Sequence, residues 1–331
     1  MRLVQLQGPQ GRKIAVVEEP NLRLVEGFFT IYDLALASIG AGTKIGEFLA
    51  GRLSSATLDY APIYDNRSDW KLLPSADHPL EPARCLVSGT GLTHMASAKN
   101  RQAMHGKPED LTDSMRMYRW GVEGGRPESG KIGTSPEWFY KGCGTILRGH
   151  GSPLTVPSYA EDGGEEPEVA GVYVNDSAGH PYRIGLTVGN EFSDHEFERR
   201  NYLYLASSKL RECAIGPELV IGEAFDEVPG EVTILRGSKT LWSKPIRTGE
   251  KAMSHSLANI EHHHFKFEGH RRPGDVHVHF FGADAFSFGE GVKLQSGDVM
   301  QVGFEGFGRP LRNSVQVRQE ADSVLAVTIL S

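Results

Sequence analysis

The sequence predicts an α+β, mainly β chain: a small N-terminal α+β unit over residues 1–80 and a larger strand-rich body over residues 81–331. Two observations predict it. From Glu137 onward, glycine and proline punctuate short runs such as GVYV (171–174), YRIGLTVG (182–189), EVTILR (231–236), DVHVHFF (275–281) and VMQVGFEG (299–306). Short β-prone runs bounded by turn residues mark the strands of a mixed or antiparallel β structure. Before residue 80, three alternating segments precede a stretch with helical spacing, which is the pattern of an amphipathic cover over a small sheet.

Composition narrows the function classes. The 331 residues are 39% hydrophobic and 23% charged, with 39 glycines and 18 prolines, a profile of a turn-rich globular chain able to bury a large core. A net charge of −7 disfavours a nucleic-acid or anionic-membrane partner, since both call for a basic footprint. No apolar run approaches the roughly 18 residues of a membrane span. The N-terminus MRLVQLQGPQGRKI lacks a basic head followed by an apolar core. A cytoplasmic location is expected. Cys85, Cys143 and Cys213 are too scattered for a zinc site or disulfide framework and read as reduced and structural.

In chain order, Leu3 to Leu6, Lys13 to Glu18 and Leu22 to Val25 read as strands. Thr30 to Leu53 reads as helical with an interruption near Gly40 and Gly42. Residues 72–84 read as a linker, 97–118 as helix-compatible, and 121–133 as a mobile glycine-rich loop. Further helices are expected at 197–211 and 254–267. Asp275 and Asp298, each following glycine before a strand, are turn residues without a catalytic role.

The stretch EDGGEEPEVAGVYV (161–174) carries the chemistry. On a strand, Glu166 and Glu168 project to one face, and their repulsion is relieved when a cation sits between them. A solvated acidic turn is the alternative for such a pair. Pro167 lacks a ladder donor, which places it at a sheet edge or bulge. The next strand ends in Gly189, Asn190 and Glu191, bringing a third carboxylate to a neighbouring strand end. Three oxygen donors without a nearby cysteine favour Mg²⁺ or Mn²⁺ over zinc, with Ca²⁺ a further substitute.

These residues, with PEWFYKG (136–142), SKLRECAIGP (208–217), RPGDV (272–276) and FGRPLRNSV (307–315), resemble the fumarylacetoacetate hydrolase family over residues 84–315. The resemblance implies a mixed β-sheet roll as catalytic domain, a homodimer, and a divalent metal on Glu166, Glu168 and Glu191 that chelates a small 2-keto acid. Glu191 stands where the family usually has aspartate. Lys141 and Lys209 match positions near the substrate, with a surface salt bridge as the alternative for each.

The lid segment of hydrolytic members carries a His-x-x-Glu pair. Here GLTHMASAKN (91–100) places Ser97 and Asn100 at those positions, so that water-activating dyad is absent. SGTGLTH, EDGGEEPE, GNEFSDH and MSHSLAN resemble the sugar-acid branch, which includes 2-keto-3-deoxy-pentonate dehydratases. The implied reaction is Mg²⁺-dependent dehydration to 2,5-dioxopentanoate or a related semialdehyde. His94 and His195 are candidate proton shuttles, and Thr93, Ser97, Ser254 and Ser256 are candidate substrate contacts. His277 and His279 share a strand face but read as structural. Arg126 reads as exposed. An acylpyruvate or β-diketo-acid hydrolase and a non-catalytic sugar-acid-binding protein are the alternative readings.

Overall fold

A computed structural model describes residues 1–105, 111–222 and 224–330. Strands β1 (Arg2–Gly8), β2 (Gly11–Glu18) and β3 (Asn21–Val25) lie where alternation placed them. Helices α1 (Ile31–Gly40) and α2 (Ile45–Leu49) divide the helical stretch, with Gly42 between them at φ +64°, a conformation glycine adopts without steric cost. The Thr30 hydroxyl caps α1 by accepting the Asp33 N–H at 3.0 Å. Strand β4 (Leu53–Asp59) and helix α3 (Tyr60–Tyr64) were not anticipated; β4 is too polar to signal a buried face.

Strand β5 (Lys71–Leu72) opens the expected linker, and β6 (Cys85–Gly89) follows it. Helices α4 (Met95–His105) and α5 (Asp113–Gly124) fill the helix-compatible stretch, of which residues 106–110 lie outside the described ones. The loop expected from residue 121 therefore starts later, because α5 runs through Gly121 and Gly124. Close packing explains those glycines: a Cβ on Gly121 would stand 2.6 Å from His255 Nε2, and one on Gly124 2.3 Å from Thr134 Oγ1.

Strands β7 (Phe139–Cys143), β8 (Leu147–Arg148) and β9 (Leu154–Val156) lead to the long antiparallel pair β10 (Pro167–Asn175) and β11 (Pro181–Asn190). The single helix expected over 197–211 is two, α6 (His195–Arg200) and α7 (Leu205–Lys209), because Asn201 takes an extended conformation between them. Then come β12 (Cys213–Val220), the hairpin β13 (Val228–Arg236) and β14 (Lys239–Thr248), α8 (Leu257–Phe265), β15 (Val276–Phe280), β16 (Val299–Phe304) and β17 (Leu311–Val317).

Among the described residues these strands form two mixed sheets. The larger runs β4-β3-β2-β1-β12-β11-β10-β15-β6-β7, with β5 on β1 and β8 on β12; the smaller runs β14-β13-β16-β17-β9. The pairing of β1 with β12 makes the N-terminal strands continuous with the main sheet. One apolar core, including Val169, Leu186, Val188, Val232, Ile234 and Val302, joins β10 and β11 to the smaller sheet. A second, including Leu3, Ile31, Leu34, Val172, Val174 and Phe280, lies under α1. Both faces of β10 are thus covered, which is why GVYV is apolar at every position.

Pro167 corrects an expectation. It is not at a sheet edge: β10 lies between β11 and β15, and Pro167 pairs with Asn190 as the first residue of its strand, a position that tolerates the missing donor.

Candidate metal centre and active site

Antiparallel register builds the centre. Pro167 faces Asn190, so the residues flanking those two positions meet at one end of the β10–β11 pair, and the Glu191 N–H donates to the Glu166 carbonyl at 2.9 Å. Glu166, Glu168 and Glu191 are buried, each offering a carboxylate oxygen within 4.8 Å of the others. Glu165, on the other face, is used elsewhere: its carboxylate accepts the Ser287 N–H at 2.6 Å and hydroxyl at 2.8 Å.

Two fully buried ammonium groups enter this acidic pocket. Lys209 Nζ, at the end of α7, lies 2.5 Å from both Glu166 Oε1 and Glu191 Oε2 and donates to Ser193 Oγ at 3.0 Å. Lys141 Nζ, from β7, lies 2.5 Å from Glu191 Oε1 and donates to the carbonyls of Phe192 and Lys209 at 2.7 and 3.0 Å. The surface salt bridge considered for each lysine is excluded by their burial, at 1% and 0% exposure. Burial works against the Lys209 charge, yet Glu166 and Glu191 outweigh it and raise its pKa. Burial would also raise the Glu166 pKa, but Lys209 and His195 pull it well below the usual carboxylate value.

Glu168 differs. Its Oε2 accepts the Gly282 N–H at 2.6 Å, but among the described residues no side-chain cation pairs with it. Burial, then the charges of Glu191 and Glu166, push its pKa well above normal. When all three carboxylates are ionised they outnumber the two ammonium groups by one charge, and Glu168, pushed towards its neutral form without a partner, is the one a further hard cation bound by oxygens would keep ionised. On that chemistry the three glutamates fit a divalent metal.

Two histidines differ in electrostatic setting: His195 touches a carboxylate of the centre, whereas His94 is linked to it through Thr93 and the backbone of Phe281 and Gly282. His195 Nε2 lies 3.0 Å from Glu166 Oε1, with its ring stacked on Phe286 at 4.8 Å. Burial lowers its pKa, but the Glu166 bond and the charges of Glu166 and Asp162 prevail and hold it above the usual value. His94 Nδ1 lies 2.8 Å from Thr93 Oγ1, whose own proton goes to the Phe281 carbonyl at 2.6 Å. Nδ1 therefore carries the His94 proton, leaving Nε2 a buried, unpartnered lone pair. Burial lowers the His94 pKa to about 4.

Comparison with known proteins decides the fold. No family model matches the chain. A solved structure described as 2-keto-3-deoxy-D-arabinonate dehydratase complexed with magnesium and 2,5-dioxopentanoate superimposes with a TM-score of 0.71 at 18% identity, covering 97% of this chain and all of that one. The fold is that of 2-keto-3-deoxy-D-arabinonate dehydratase. A 5-carboxymethyl-2-hydroxymuconate delta-isomerase from Mycobacterium smegmatis has a TM-score of 0.59 at 17% identity, covering 97% and 100%. Among curated relatives, "Probable 2-keto-3-deoxyxylonate dehydratase" of Haloferax volcanii is 29% identical over 54% of this chain. The 2-dehydro-3-deoxy-D-arabinonate dehydratase of Saccharolobus solfataricus is 37% identical over 27% of it. The matched segments span 60% and 29% of those two proteins, less than two thirds of either. Both curated relatives are named as dehydratases of 2-keto-3-deoxy sugar acids, in line with the resemblance to the sugar-acid branch read from the motifs.

On this dehydratase fold the remaining candidates divide. Thr93 touches the metal centre indirectly: a Cβ on Gly282, whose N–H holds Glu168, would lie 2.0 Å from Thr93 Oγ1. Ser254 stands beside it, with its N–H on the Thr93 carbonyl at 2.8 Å. The Ser97 hydroxyl donates to the His94 carbonyl at 3.0 Å within α4. The Ser256 hydroxyl is taken by the N-cap of α8, accepting the Asn259 N–H at 3.2 Å. His277 and His279 are buried and bonded to His264, Ser88 and Thr90, in keeping with structural roles. Arg126 is exposed. Among the described residues no helix is long and apolar enough to cross a membrane.

Sequence reasoning missed a buried cluster beside the centre. Arg101 of α4 pairs with Glu137 at 3.0 Å and Glu198 at 2.7 Å, and Tyr202 donates to Glu137. These ties lock α4 against α6. A buried arginine within a polar helix gives no periodic signal, although PEWFYKG did contain Glu137.

Proposed function

We propose that this protein is a Mg²⁺-dependent hydro-lyase that dehydrates a 2-keto-3-deoxy sugar acid, pentonate-like, to 2,5-dioxopentanoate or a related semialdehyde. The observation that carries the reading is the convergence of Glu166, Glu168 and Glu191 with Lys141 and Lys209 in one buried pocket. The fold shared with a dehydratase supports it. So does the lid segment, where Ser97 bonds a backbone carbonyl and supplies no water-activating base.

Glu166, Glu168 and Glu191 would hold the metal. A divalent ion bound there supplies Lewis acidity toward the 2-keto acid, lowering the cost of the charge that develops as C3–H ionises. The other roles fall to side chains whose environments push their pKa values apart. His94 Nε2, an unprotonated lone pair at neutral pH, takes the C3 proton. His195, held toward its protonated form by Glu166, returns a proton to the departing C4 hydroxyl. Lys141 and Lys209 fix the orientation of Glu191 and Glu166 and keep the pocket's charge nearly balanced. Thr93 holds the His94 tautomer, and Thr93, Ser97 and Ser254 are assigned to the substrate side. Within this reading residues 1–80 form an N-terminal unit whose strands extend the main sheet through β1 and β12, and the assembly is a homodimer.

The test is direct. Purified protein with Mg²⁺ should convert a 2-keto-3-deoxypentonate to a semialdehyde, cease with EDTA, and lose at least 100-fold in kcat on His94→Gln. Intact sugar acid under saturating Mg²⁺, or cleavage of an acylpyruvate into two fragments instead, refutes the assignment.

A further inference from the structure

A single hydrogen bond holds the His195 ring at its tip. Nε2 meets Glu166 Oε1 at 3.0 Å, but that oxygen also takes the Lys209 ammonium at 2.5 Å, and Nδ1 has no partner among the described residues. Terminal ring torsions are broad, so one shared bond leaves the plane of the imidazole to be set by what packs against it.

That packing comes from one turn. The Phe286 ring stacks on the imidazole at 4.8 Å with an interplanar angle of 11°, and the Phe288 ring tilts against it at 5.1 Å. Gly164 closes the ring's edge, where a Cβ would stand 2.3 Å from Nδ1. The two phenylalanines flank Ser287, which opens a 3₁₀ turn, Ser287–Glu290, in the connection between β15 and β16.

Glu165 ties this turn to the metal-binding stretch. Its carboxylate accepts the Ser287 N–H at 2.6 Å through one oxygen and the Ser287 hydroxyl at 2.8 Å through the other. Both residues are buried, so releasing the tie would strand a buried carboxylate and a buried N–H without partners, a costly outcome. Glu165 immediately precedes Glu166. One short piece of backbone therefore fixes both the carboxylate at the tip of the imidazole and the turn whose rings hold its face.

We infer that Glu165 is a positioning residue for His195, acting through Ser287 and the rings of Phe286 and Phe288 and touching neither the metal ligands' oxygens nor the substrate. The effect on turnover rests on the proton-donating role proposed for His195; the effect on the ring does not.

Two substitutions at one position test this. Glu165→Met removes both acceptors, whereas Glu165→Gln keeps an oxygen for the Ser287 N–H and offers its amide to the hydroxyl. A misplacement of about 1 Å at a reacting group costs on the order of 100-fold, so Glu165→Met should lower kcat on a 2-keto-3-deoxypentonate at least tenfold. KM and the calorimetric Mg²⁺ affinity should barely change, and Glu165→Gln should recover most of the lost kcat. Proton NMR reads the ring itself. The His195 ring protons, assigned by their disappearance in His195→Gln, should be shifted upfield by the stacked phenyl ring in the wild type and in Glu165→Gln, and lose that shift in Glu165→Met. Ser287→Ala, which keeps the backbone bond, should give a smaller loss of the same kind and supplies both readouts if Glu165→Met does not fold. The expected ring shifts in a protein that leaves sugar acids intact would uphold the positioning role while refuting the dehydratase reading. An unmoved ring on loss of the tie, an equal loss of kcat in Glu165→Gln, or a Mg²⁺ affinity that falls in step with kcat each overturns the inference.

Discussion

Replacing Glu168 by glutamine separates a metal ligand from a structural carboxylate. Glutamine keeps the shape and the oxygen that accepts the Gly282 N–H at 2.6 Å but removes one negative charge. At 4.8 Å, the widest spacing among the three oxygens, each like-charge contact is worth about 3.5 kcal/mol at an effective dielectric of 20. Lys141 and Lys209 offset part of this repulsion and the raised Glu168 pKa lets a proton relieve more, so relief in the metal-free protein should come to at most about 1–3 kcal/mol. The metal-free variant should therefore melt at or above the wild-type temperature. The divalent cation, in contrast, loses one of three anionic partners, and the same Coulomb scale gives about 3 kcal/mol or more, roughly a 100-fold weaker affinity. Thermal melts with and without metal, together with calorimetric titration of Mg²⁺ or Mn²⁺, measure both effects. A metal-free protein destabilised by the 3–5 kcal/mol typical of a broken buried ion pair, or an unchanged metal affinity, refutes the reasoning.

Other perturbations have equally definite outcomes. Lys209→Met leaves Glu166 and Glu191 short of a cation and should cost about 3–5 kcal/mol in metal-free urea unfolding, with part of the loss restored by saturating Mg²⁺; equal losses in both conditions would contradict a shared charge balance. Gly164→Ala places a Cβ 2.3 Å from His195 Nδ1, so kcat should fall at least tenfold while the fold persists, and full activity would show that the ring's position is immaterial. Burial lowers the pKa of His277 and His279 to about 3, and that of His264 well below 6.5. Below pH 6.5 the unfolded chain binds protons these native imidazoles refuse, so stability is fully present above 6.5 and falls with acid. Each histidine contributes about 1.4 kcal/mol per pH unit down to its folded pKa. Urea midpoints at pH 7.5, 6 and 5 should decline steeply, and a flat profile would show that the cluster accepts protons in the folded state.

Local chemistry alone made much of this protein legible. Alternation located β1 to β3 and the main central strands, because the side-chain period of a strand is two whatever surrounds it. The same period put Glu166 and Glu168 on one face, and the Gly-Asn-Glu end of β11 suggested a third acid. What sequence left open depended on neighbours. Pro167 reads as an edge residue until strand order shows β10 in the middle of its sheet. Lys141 and Lys209 each had a surface alternative, because only the crossing of β7 and α7 over the β10–β11 end decides that both ammonium groups are buried against Glu191. Likewise, the proton on His94 depends on Thr93 spending its own on the Phe281 carbonyl, 188 residues away in the chain. Periodicity is a property of the backbone, whereas charge balance, tautomer and edge or centre position belong to atoms brought together from distant parts of the chain.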